Sequence, residues 1–107
     1  MADSNFSMHD LHKVLTELKD GEVILDVRRP DEYAEGHIEG SINIPHEEVQ
    51  SHVDDLKKYS RIYLHCRSGK RAQVARKALE DAGVKTVVCI SNSGMLDWLE
   101  SGYPVKS

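Results

Sequence analysis

The chain has little cysteine and no long apolar run, and each shortage excludes a class of protein. Two cysteines in 107 residues are too few to staple a small secreted fold, so reduced thiols are expected. No apolar stretch approaches the ~18 residues that cross a bilayer. Residues 1–10, MADSNFSMHD, lack the basic start and apolar core of a signal peptide, so cytoplasmic action is expected. The six histidines are scattered. Neither Cys66 nor Cys89 has a second Cys or His at zinc-ligand spacing, and His65 faces away from its neighbour Cys66 on a strand, so no metal is expected. There is no repeat, low-complexity tract or linker. With 39% apolar and 30% charged residues, the chain reads as one domain spanning residues 1–107.

Acidic residues are also missing from one window. Between Leu56 and Leu79 there is no Asp or Glu, while eight of the chain's 14 basic residues lie there. A local positive field on an otherwise acidic body suits a small anionic ligand. Nucleic acid needs a broad basic face, which this chain lacks.

What is present alternates between two periods. Ser7 and Asp10 resemble a capping box, and Met8, Leu11, Leu15 and Leu18 predict a helix running to Gly21. EVILDV predicts a strand, Pro30 to Ala34 one helical turn closed by Gly36, and SINIP a short strand ended by Pro45. Val49, Val53 and Leu56 predict a second full helix, and RIYLH a strand. Ala72, Ala75, Ala78, Leu79 and Ala82 predict a helix stopped by Gly83, followed by the strand TVVCI and a short helix from Met95 to Glu100. Such alternation predicts an α/β domain whose central parallel sheet has helices on both faces, with ligands held beyond the carboxyl ends of the strands.

YLHCRSGKRAQVARKAL, Tyr63 to Leu79, occupies that place. Cys66 ends a strand and faces a Gly-containing loop and the start of a helix near Arg71, with Arg67, Lys70 and Arg71 beside it. Backbone N–H groups, helix dipole and cations all favour the thiolate, which is the nucleophilic form. Gly69 is expected to take a positive φ so that the loop can turn its N–H groups inward. Cys89, inside its strand, reads as core packing.

At these residues the chain resembles the rhodanese family of sulfurtransferases. LDVRRPDEYAEGHIEGSINIP resembles the family's first signature, CRSGKR its six-residue active-site loop, and GMLDWLESGYPV its C-terminal signature. The family often has a Gly pair where this chain has Ser93 and Gly94, a departure that bears on loop shape and not on fold. The resemblance implies that Cys66 carries sulfur as a persulfide taken from thiosulfate or a persulfide donor and passed to cyanide, a thiol or a thioredoxin-like protein, without a cofactor. It implies that Arg67, Ser68, Gly69, Lys70 and Arg71 bind the donor. Asp26 is then expected near the loop, with Arg28 paired to Glu32, while His37 packs.

Two other readings remain at this level. One is a sulfur-relay or regulatory module serving a single protein partner. The other is a phosphatase or arsenate reductase of the same fold, but those carry a loop one residue longer, closed by an Arg. Here position 72 is Ala.

Overall fold

Parallel strands carry the architecture. β1 (Glu22–Asp26), β2 (Ile42–Asn43), β3 (Arg61–His65) and β4 (Val87–Cys89) pair in the order β2-β1-β3-β4, with every pairing parallel. The computed structural model describes residues 6–107; residues 1–5 of the expected domain lie outside it. A strand covered on both faces must be apolar at successive positions. In β1, Val23 and Leu25 enter one core while Ile24 enters the other; in β3, Ile62 and Leu64 oppose Tyr63 in the same way.

Helices cover both faces of this α/β domain. α1 (Met8–Val14) and α5 (Met95–Glu100) bring Met8, Leu11, Met95 and Trp98 onto the Ile24 and Tyr63 face. α3 (Val53–Leu56) and α4 (Lys70–Asp81) bring Leu56, Ala72, Ala75 and Leu79 onto the other. α2 (Pro30–Glu35) buries no residue of its own and begins four residues past the carboxyl end of β1. The Ser7 capping box forms as expected, with Asp10 accepting from the Ser7 N–H and Ser7 Oγ from the Asp10 N–H.

Two helices differ from expectation. The first ends at Val14, and a 3-10 turn, Leu15–Glu17, follows. Leu15 and Leu18 still pack on the core, because the tighter turn brings the chain round into β1. The second comprises a 3-10 segment, His46–His52, and a single α-turn, Val53–Leu56. Both kinds of turn keep Val49, Val53 and Leu56 inward, so the periodicity identified the face while overstating the regularity.

α4 approaches the sheet closely because its inner face is made of alanine. Ala72 and Ala75 have no exposed surface, and added volume there has nowhere to go. Ala75→Leu is expected to cost ~1–3 kcal/mol of stability by overpacking, measured by urea unfolding. Val74→Leu, at a side chain 57% exposed, is expected to change stability by no more than ~0.5 kcal/mol.

Candidate active site

β3 hands directly to α4 through Cys66–Gly69, and the six-residue loop Cys66–Arg71 takes its last two residues from the start of that helix. Cys66 continues the alternation of β3, so its side chain joins Leu64, Ala72 and Ala75 on the α4 face and is 1% exposed. Two backbone donors reach its sulfur: Gly69 N–H at 3.0 Å and Ala72 N–H at 3.3 Å. Ala72 lies in the first turn of α4, so Sγ also meets the positive end of that helix dipole.

The loop's carbonyls face elsewhere. Cys66 O accepts from Met95 N–H at 2.9 Å and Arg67 O from Leu96 N–H at 3.3 Å, both in the first turn of α5. Donors that a helix start leaves unpaired thus hold the carbonyl oxygens away from the sulfur. Close approach requires glycine twice. Gly69 has φ +117°, as expected, and a Cβ there would collide with the Ser91 carbonyl oxygen. Gly94, in extended conformation, passes so near the Cys66 and Arg67 carbonyls that a Cβ would overlap both. Ser93 leaves this clamp intact, its Oγ accepting from Met8 N–H at 3.1 Å.

The cations divide into two kinds. Arg67 and Lys70 are exposed and have no ion pair among the described residues. Arg71 is held by Glu32 of α2 through two hydrogen bonds, at 2.7 and 3.1 Å. The Arg71 hydrogen bond, helped by the Arg29 N–H, lowers the Glu32 pKa to about 2 against the opposing effect of burial. Ser68 is exposed at the loop tip.

The expected Arg28–Glu32 pair is not formed. Arg28 precedes Arg29, the extended N-cap of α2, so it is not on the helix and the four-residue spacing has no helical meaning. Its guanidinium turns back to Asp26, two residues earlier, at 2.7 Å, and also donates to Gly36 O. Both side chains are buried. Asn43 ties their carbonyls together, donating to Asp26 O and Arg28 O at 3.0 and 2.9 Å.

His65 joins the same cluster from the adjacent strand end. It pairs in register with Asp26, and its Nε2 lies 4.0 Å from Asp26 Oδ2. Its Nδ1 is 3.5 Å from Cys66 O. Burial lowers its pKa, with Asp26 pulling the other way. Asp26 therefore lies behind the loop and approaches it through His65. His65 faces away from Cys66, as its neighbouring strand position implies, and that orientation is what takes it to Asp26. His37 stacks on Tyr33 and bonds Tyr33 O at 2.8 Å, a packing arrangement.

A cleft of about 210 Å³ opens beside the loop between α2 and α5, lined by Arg67, Glu35, Met95, Leu96 and Leu99 among others. A larger cavity, about 520 Å³, touches Gly21, Ile42, Leu56 and Tyr59 and no residue of the loop. The chemistry follows the loop and not the larger volume. Among the described residues Sγ is offered hydrogen-bond donors and no acceptor, an environment for a sulfur anion, with two cations outside that make no ion pair there.

The family profile for the rhodanese-like domain matches residues 10–101. A putative sulfur carrier protein of Bacillus subtilis is 39% identical over 75 residues, covering 70% of this chain and 40% of that protein. A putative mitochondrial thiosulfate sulfurtransferase of Schizosaccharomyces pombe is 31% identical, covering 96% of this chain and 82% of that protein. The crystal structure of a rhodanese-related protein from Thermoplasma volcanium superposes with a TM-score of 0.80 at 30% identity, covering 96% of this chain and 97% of that one. The chain spans about half the length of several curated relatives that it matches.

Two substitutions test the charge arrangement. Arg28→Met strands a buried carboxylate and is expected to cost ~3–5 kcal/mol, with much of the loss recovered in the Asp26→Leu/Arg28→Met double variant; chemical denaturation reads both. Glu32 has an ordinary pKa of 4.5 and a folded value of about 2. Its contribution is therefore complete above pH 4.5 and is lost as pH falls toward 2, where the unfolded chain takes up the proton first. Stability measured stepwise across that window is expected to fall more steeply in the wild type than in Glu32→Gln.

Proposed function

The chain belongs to the rhodanese-like domain family, and from that premise we propose that it is a sulfurtransferase working through a persulfide on Cys66. The observation that carries this reading is the pair of N–H donors aimed at Sγ, from Gly69 in the six-residue loop and from Ala72 in the first turn of α4. A small anionic donor, thiosulfate or a persulfide, delivers the sulfur. With thiosulfate, the Cys66 thiolate attacks the outer sulfur, an Sγ–S bond forms, and the S–S bond of the donor breaks with its electron pair leaving on sulfite. The transferred sulfur keeps the negative charge, which the inward N–H groups stabilise.

Arg67 and Lys70 supply the charge that steadies the departing sulfite, since neither has an ion pair among the described residues. Ser68 offers its exposed hydroxyl to the donor's oxygens. Arg71 frames the loop through Glu32, and Asp26, Arg28 and His65 support it from behind. A thiol or thioredoxin-like protein then accepts the sulfur, and cyanide serves in an assay. The relatives named as sulfurtransferase and sulfur carrier support transfer of sulfur in general; thiosulfate as donor is our choice among anionic donors. Ala72, fully buried, brings no guanidinium to close a phosphate cradle, which favours sulfur over phosphoryl transfer. The reducing cytoplasm is the setting in which such a thiol turns over.

Intact-protein mass after brief incubation with thiosulfate tests the reading. Wild type is expected to gain about 32 Da, one sulfur, which cyanide removes as thiocyanate; Cys66→Ser is expected to gain nothing. No gain in a wild type whose Cys66 still reacts with a thiol reagent would overturn thiosulfate as donor. Arg67→Gln and Lys70→Gln are each expected to raise the thiosulfate KM by about tenfold, the worth of one charge-assisted hydrogen bond at ~1.5 kcal/mol.

A further inference from the structure

The cleft between α2 and α5 has a composition that the donor does not explain. α5 buries Met95 and Trp98 almost completely, yet presents Leu96 and Leu99, three residues apart, 40% and 50% exposed. These are two of four large apolar side chains exposed among the described residues, and both line the cleft beside the loop. A third, Val105, lies beside Gly36 at the end of α2. Two of the charges in the cleft are cancelled internally, Arg28 by Asp26 and Glu32 by Arg71. What remains is one cation, Arg67, one anion, Glu35, and the two leucines, with no ion pair made by either charge among the described residues.

We propose that this cleft docks the sulfur acceptor, and that the acceptor is a protein whose thiol is flanked by an apolar side chain, with a carboxylate for Arg67 and a cationic group for Glu35. The inference rests on the sulfur-transfer reading and specifies its second half-reaction. Cyanide and small hydrophilic thiols have no apolar side chain, so exposed leucines give them nothing; only a partner that removes apolar surface from water gains by covering them. Uncancelled charges of opposite sign on one rim fix the orientation of such a partner more than its affinity. Position is supplied by α5 itself, whose first-turn N–H groups hold the Cys66 and Arg67 carbonyls. A chain seated on Leu96 and Leu99 is therefore held in register with the loop. The acceptor thiolate then attacks the outer sulfur of the persulfide, forming its own S–S bond, and the Sγ–S bond breaks with the electron pair returning to Cys66 as thiolate. The acceptor leaves as the persulfide.

The test compares acceptors on enzyme already loaded with sulfur, the loading being confirmed by mass. Acceptors are cyanide, reduced thioredoxin, and two synthetic peptides, Glu-Cys-Leu-Lys and Glu-Cys-Ser-Lys. Transfer to the leucine peptide is expected to be at least fivefold faster than to the serine peptide. Leu99→Ser is expected to remove that preference and to slow transfer to thioredoxin by at least fivefold, while the cyanide rate stays within twofold. Glu35→Gln is expected to weaken transfer to both peptides by a similar factor. Equal rates for the two peptides, or a loss in Leu99→Ser that includes cyanide equally, would overturn the proposal. Failure to load Cys66 would count against the sulfur-transfer reading alone. Binding of the two peptides to the Cys66→Ser protein, followed by NMR shifts at the Leu96 and Leu99 methyls, still decides the groove: a leucine preference supports it, and none overturns it.

Discussion

The structure depends on which way a few peptide groups point. A thiol at a strand end meets carbonyl oxygens as readily as N–H groups, and an anion is stabilised by one and repelled by the other. In the Cys66–Arg71 loop the carbonyls of Cys66 and Arg67 are taken up by α5, while the N–H groups of Gly69 and, just beyond it in α4, Ala72 turn to sulfur. The positive φ of Gly69 and the missing side chain of Gly94 are what make both orientations possible. α5 therefore belongs to the site, although no side chain on it touches Sγ by a hydrogen bond.

Beneath that loop lies a second constraint, the burial of charge. Asp26 and Arg28 are enclosed, and each is tolerated because the other is present and because backbone groups satisfy what is left over. Asn43 of β2 and His65 of β3 meet the same segment, so the carboxyl ends of three neighbouring strands converge there. The Glu32–Arg71 bridge performs a similar task at the rim, joining α2 to the start of α4. Charge near the thiol is thus of two kinds, paired and architectural at Asp26, Arg28, Glu32 and Arg71, and without an ion pair among the described residues at Arg67 and Lys70.

How much of this could be read from the sequence varies with the range of the interaction. Strand alternation, the Ser7 cap and the glycine of the loop are local matters, and each was legible because its physics acts within a few residues. Arg28 misled because the four-residue spacing to Glu32 fits a helix, and Arg28 stands before the helix begins. The true partner of Glu32 is 39 residues away, and no pattern in a single sequence links them. The role of Gly94 was hidden for the same reason: it is defined by backbone arriving from β3. The 3-10 turns were missed because apolar spacing reports which face is inward and says little about how tightly the chain is wound.

The sheet's outline has a consequence for life at high concentration. Its outermost strands, β2 and β4, are two and three residues long, so little unpaired backbone lies along either border. Long open borders invite another chain to add itself as an extra strand and then another, the route to fibrils. Lateral ends this brief offer too little open backbone to template such growth.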